Sequence, residues 1–142
     1  MNRSELQTAF DASRPALEAL VRIQGEYDKV GWRVSEPGAA KFRHICLHLM
    51  RTTAEFARIA EHNDHHEDDG EPVSNEELRT LLGEQGLLIA ELAFSLLQLA
   101  QLGDVDIAVA LHDLYRRNAS HFAPESPFAD LEAIRYDEQL TR

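Results

Sequence analysis

A chain of 142 residues, 44% of them hydrophobic, is the size of one ordinary domain and can bury a single core, so one domain over 1–142 is expected. Its 14 Lys and Arg stand against 25 Asp and Glu, and the formal net charge of -11 excludes general binding to nucleic-acid polymers or to anionic lipid; a nucleotide could still bind through a metal ion. The first residues, Met-Asn-Arg-Ser-Glu-Leu-Gln, lack the apolar segment of a secretory signal, and the single Cys46 cannot close an internal disulfide, so cytoplasmic residence is expected.

Gly and Pro cluster at 31–38, around 70–72 and around 124–127, and between these breaks the apolar residues recur at helical spacing, with nothing that reads as a strand. The predicted class is all-α, a bundle of four main helices. The first spans about Ser4 to Val30, broken or restarted near Pro15, with Leu6, Phe10, Leu17, Leu20, Val21 and Tyr27 facing inward. The second spans about Gly38 to Asn63, with Phe42, Ile45, Leu49, Thr53, Phe56 and Ala60 on one side. A Ser-x-x-Glu capping box at Ser74 and Glu77 opens the third, which continues to about Leu102. Gly103 stops it, Asp104 caps a fourth helix to about Phe122, and a short tail helix is expected near 128–139.

Glu91 is the only charged residue between Gln85 and Gly103, in a run that could otherwise line a protein interior. A buried acid there would have to keep its proton, pair with a base or bind a cation. Gln85, Ser95, Gln98 and Gln101 are spread along the same run, which argues against a membrane span. Leu78, Leu81, Ile89, Leu92, Leu96 and Leu99 make one apolar stripe, while Leu87, Phe94 and Leu97 lie away from it. A four-helix subunit rarely surrounds one of its own helices, so the second face predicts a homodimer or higher homo-oligomer.

The second helix places His44, His48, Arg51, Glu55, Arg58 and His62 along one narrow face. His44 and His48, at i and i+4, have the spacing with which two imidazoles grip one metal, but cations alternate with the supposed ligands and a solvated face of mixed charge is the plainer reading. Residues 61–77 hold eight carboxylates with His62, His65 and His66 and no Lys or Arg, which reads as a flexible acidic loop before a chelating one. Cys46 is a small core residue with no companion for redox work. Asn118 shares a face with Leu111, Leu114 and Phe122, where an amide needs a partner: a neighbouring helix or a ligand.

The stretch from Ile89 to Phe122, with its Ile-Ala-Glu-Leu-Ala-Phe-Ser opening, Gly-Asp-Val-Asp turn and Arg-Arg-Asn ending, resembles the second half of the MazG-like all-α nucleoside triphosphate pyrophosphohydrolases. There a Glu-Leu-Ala-Asp-Val helix is followed by a short turn, an Ala- and Leu-rich helix and a Lys-x-x-x-Asn-like ending. Upstream, Trp32 and the run Leu49-Met50-Arg51-Thr52-Thr53-Ala54-Glu55-Phe56 extend the resemblance, which covers about Trp32 to Phe122. It implies a MazG-like bundle in which carboxylates from two helices hold Mg²⁺, or Mn²⁺, so that water cuts a nucleoside triphosphate between its α and β phosphates.

Carried over position by position, Glu55 and Glu91 match the catalytic, metal-holding acids, His48 is a substitute ligand, and Arg117 and Asn118 match the nucleotide-contacting pair. Thr52 stands where the first motif has an acid, Arg51 replaces its neighbour, and Phe94 replaces the Asp of the second motif. Two carboxylates in place of four weaken Mg²⁺ binding severely, and Arg51 adds positive charge where the ion would sit. Two readings follow: a divergent pyrophosphohydrolase, or a catalytically inactive relative that senses a nucleotide or binds a protein. Glu91 divides them, as a metal ligand in the first and, in the second, a partner of an Arg of the first two helices; Arg51 could pair with Glu91 or equally with Glu55.

Overall fold

The computed structural model describes residues 1–31, 38–68 and 74–132, with 62–68 described by backbone alone. These residues form five α-helices and no strand: α1 Arg3–Gly31, α2 Ala39–Asp68, α3 Asn75–Glu84, α4 Gly86–Leu102 and α5 Ile107–Phe122. The all-α class is as expected from the periodicity. The region holding Trp32 and the tail helix beyond residue 132 lie outside the described residues, and 124–130 form turns.

Several boundaries differ from expectation, each for a local reason. A reciprocal pair starts α1: Asn2 Oδ1 accepts from the Glu5 amide at 3.0 Å and Glu5 Oε2 from the Asn2 amide at 2.7 Å. The helix then runs unbroken through Pro15, although an interior proline forfeits one ladder hydrogen bond. Beyond Asn63, α2 continues to Asp68, because no breaker occurs before Gly70; the first part of the acidic segment is therefore helix rather than loop. The expected third helix is two helices, α3 and α4, bent 64° at Gln85 between Gly83 and Gly86, where poor helix formers make a break inexpensive. Among the described residues no single helix is long and apolar enough to cross a membrane; only this bent pair passes on length and composition.

Ser74 and Glu77 form the predicted capping box. The cap of α5 is Asp106 instead of Asp104: Asp106 Oδ1 accepts from the Ala108 and Val109 amides at 3.1 Å each. Asp104 takes a left-handed turn at φ 50°, which its short polar side chain tolerates.

The chain divides into two compact units, residues 1–23 with 103–142, and residues 24–102. In the first, Leu6, Ala108, Val109 and Leu131 are buried, and the Phe10 ring meets His112 edge-on with centroids 4.9 Å apart. Asp106 Oδ2 lies 2.8 Å from Arg14 Nη2, tying the start of α5 to α1.

The second unit holds the end of α1 with α2, α3 and α4, and its main packing is α2 against α4. Among the described residues of this unit, Ile45 and Ala100 are the buried hydrophobic ones; Gly25 and the polar Gln24, Asp28, Thr52, Ser95 and Gln98 are buried with them. Several residues expected inside, Leu20, Tyr27, Phe42, Ile89 and Leu96, are instead half exposed. Helical spacing marks an apolar face without saying whether this chain itself covers it.

Candidate functional site

A cavity of about 250 Å³ opens between α2 and α4, wholly within the second unit. Each helix supplies one side. From α2 come His48, Arg51 and Thr52; from α4 come Glu91, Phe94, Ser95 and Gln98. Glu91, Ser95 and Gln98 stand at i, i+4 and i+7, so one face of an otherwise apolar helix carries the polar wall.

Glu91 is not buried as the sequence suggested: its side chain is 45% exposed, because the cavity opens beside it. Arg51 Nη2 donates to Glu91 Oε2 at 2.8 Å and Thr52 Oγ1 donates to the same oxygen at 3.0 Å, while Thr52 Oγ1 also lies 3.0 Å from the His48 carbonyl. The Arg51 hydrogen bond, then that of Thr52, holds the Glu91 carboxyl below its ordinary range, so Glu91 stays ionised. Of the two explanations for this acid, the geometry contains the ion pair with Arg51.

Behind the cavity lies a second charged contact. Asp28, near the end of α1, accepts from Gln24 Nε2 and Gln98 Nε2 on Oδ1, at 2.9 Å each, and Lys41 Nζ lies 2.8 Å from its Oδ2. Burial would raise the Asp28 carboxyl, but the Lys41 ammonium and the two amides outweigh it and hold the group below its ordinary value. Gln98 thus joins the two features, its amide nitrogen committed to Asp28 and its side chain part of the cavity wall.

The other expected site residues do not assemble here. Glu55 is absent from the cavity wall and pairs with Arg58, one turn along α2, at 3.2 Å. His44 and His48 pack with ring centroids 4.5 Å apart, and His48 reaches the cavity. Arg117 and Asn118 are exposed on α5 in the first unit; the Asn118 face, with Leu111, Leu114 and Phe122, is open rather than buried. The side chains of His62, His65 and His66 with their neighbouring acids lie outside the described residues.

A magnesium or manganese ion does not fit these residues. Mg²⁺ takes about six oxygen ligands in near-octahedral geometry. The cavity wall offers one carboxylate, already engaged by a guanidinium and a hydroxyl, and it has Phe94 where the resemblance requires a second acid. Among the described residues no three His, Cys, Asp or Glu side chains are grouped to hold a metal.

Thr52, Ser95, Gln98, Asp28 and Lys41 were not identified as site residues from sequence. The i, i+4, i+7 polar spacing on α4 was the available signal for two of them; nothing local to Asp28 or Lys41 announces their contact across 13 residues of chain. The chain matches no protein-family model, no curated protein and no solved structure.

Proposed function

We propose that this chain is a MazG-like helical protein that acts by binding, without metal-dependent hydrolysis of a nucleoside triphosphate. The observation that carries the proposal is the Arg51–Glu91 pair: a guanidinium 2.8 Å from the one carboxylate on the cavity wall takes the place of a divalent cation and supplies charge balance without it. Glu55, the second acid of the pyrophosphohydrolase reading, is engaged elsewhere by Arg58.

The binding reading extends to a second copy of the chain. Leu47 and Met50 on α2 and Ile89 and Leu96 on α4 are all about half exposed or more, which supports self-association as a homodimer. Light scattering at micromolar concentration tests it, and a monomer overturns that part of the proposal alone.

The catalytic question is tested by pyrophosphate release from a panel of ordinary and modified nucleoside triphosphates with Mg²⁺ or Mn²⁺, comparing wild type with Glu91→Gln. The expected result is no metal-dependent turnover above background in either protein. Turnover in wild type that nearly vanishes in Glu91→Gln restores the pyrophosphohydrolase reading, because the substitution keeps shape and removes one charge.

A further inference from the structure

We propose that the cavity between α2 and α4 binds a small uncharged planar molecule carrying adjacent hydrogen-bond donor and acceptor groups, the chemistry of an aromatic amide or lactam. The inference rests on the binding reading above and names the ligand class of the same cavity.

Charge comes first. Arg51 and Glu91 are paired on the wall and Lys41 and Asp28 are paired behind Gln98, so the arginine and the lysine each have their own carboxylate. An anion would have to draw Arg51 away while lying beside Glu91, and a cation would meet the reverse arrangement. Both losses grow as the ligand leaves water, whereas an uncharged ligand incurs neither.

Hydrogen bonding sets the next constraint. Ser95 is only 3% exposed, lies on the cavity wall, and its hydroxyl has no hydrogen-bond partner among the described residues. Gln98 is more buried still, and since its Nε2 must face the Asp28 carboxylate, its carbonyl oxygen is turned away from that contact. The hydroxyl and the carbonyl belong to residues one helical turn apart, on adjacent positions of one face. Together they offer a donor and an acceptor, complementary to a C=O and an N–H held side by side.

Shape supplies the third. Phe94 is the apolar wall, and its ring is fixed by an edge-on contact with Tyr27 at 5.5 Å and 82°. A flat ring packs against such a wall by stacking or edge contact. At about 250 Å³ the cavity far exceeds one water, whose share of liquid is about 30 Å³, and is smaller than the sites of drug-sized ligands.

The test is NMR titration of the whole protein with 2-pyridone and benzamide, alongside benzoate, benzylamine and inorganic phosphate. Saturable shifts on α2 and α4 from the two neutral probes, and none from the charged ones, are expected. Ser95→Ala, a small change to the best helix-forming residue, should weaken neutral-probe binding about five- to tenfold while leaving the spectrum otherwise folded, as expected for one lost hydrogen bond to the ligand. Phe94→Leu serves as a second variant and should also weaken it.

No saturable shift from either neutral probe, equal binding of benzoate or phosphate, or neutral binding indifferent to both substitutions would each overturn the inference. Those outcomes leave the binding proposal standing provided pyrophosphate release stays at background. Metal-dependent release overturns that proposal whatever the titration shows.

Discussion

Lys41 Nζ lies 2.8 Å from Asp28 Oδ2, with the two side chains only 13% and 5% exposed, so α2 is joined to the end of α1 by an ion pair largely withdrawn from water. Two amides, from Gln24 and Gln98, complete the acid's shell. Lys41→Met keeps most of the side chain's volume but strands the carboxylate, and breaking one side of a buried pair costs roughly 3–5 kcal/mol. The expected outcome is a large fall in the urea midpoint, with much of it recovered in Lys41→Met combined with Asp28→Leu. A single variant as stable as wild type would show that the pair contributes no net stability.

The same contact makes stability depend on pH. The folded protein holds Asp28 ionised more firmly than the unfolded chain does, so the unfolded chain takes up its proton first as pH falls. The Asp28 contribution is therefore complete above about pH 5. It erodes as pH falls through the ordinary value of 3.8 towards the lower folded value. Denaturation midpoints between pH 7 and pH 3 should decline in wild type, and Asp28→Asn should start lower and decline less. An equal decline in both would assign the acid sensitivity to other carboxylates.

The all-α class, the Ser74–Glu77 cap, the ends of α1 and the C-terminal end of α5 were legible in the sequence because each depends on residues within a turn or two of one another. The core was less so. Leu96 and Phe42 sit on proper apolar stripes yet are half exposed, while Gln98 and Thr52 are almost fully buried. Periodicity ranks faces by hydrophobicity, whereas burial depends on which helix arrives opposite, and here Arg51 and Thr52 of α2 meet Glu91 of α4 through hydrogen bonds. Glu91 stands out in the sequence as a lone acid on an apolar helix, and the structure pairs it with Arg51 while leaving it 45% exposed. Its exposure could not be anticipated, because the opening beside it comes from the tertiary packing of two helices.

Helix α3 illustrates a local dependence. It buries none of its ten residues, so little beyond its own hydrogen bonds and its capping box keeps it folded. Ser74→Ala removes the hydroxyl that accepts from the Glu77 amide at 3.2 Å and lies 2.8 Å from the Glu77 carboxylate. Loss of such a cap costs about 1 kcal/mol. The expected signature is faster amide hydrogen exchange, about fivefold, confined to residues 75–84, with the global urea midpoint hardly moved. A global shift of the full amount would mean that α3 unfolds together with α2 and α4.

Glu91→Leu distinguishes the remaining roles of the cavity acid. Had its partner been a fully buried base, the substitution would leave a cation stranded in the interior, and the loss would resemble that of Lys41→Met. Instead the Arg51 side chain is 59% exposed, so its released guanidinium is taken up by water, and Thr52 keeps the His48 carbonyl as an acceptor. Leucine also suits the composition of α4 better than an acid does. The urea midpoint is therefore expected to stay near that of wild type, to be insensitive to added Mg²⁺ or EDTA in both proteins, and to lose the small salt dependence that an exposed pair confers. A fall comparable to that of Lys41→Met would make the Arg51–Glu91 pair part of the architecture. A wild-type midpoint that rises with Mg²⁺ and no longer does so in the variant would instead make Glu91 a metal ligand, since an ion that binds only the folded state stabilises it by mass action.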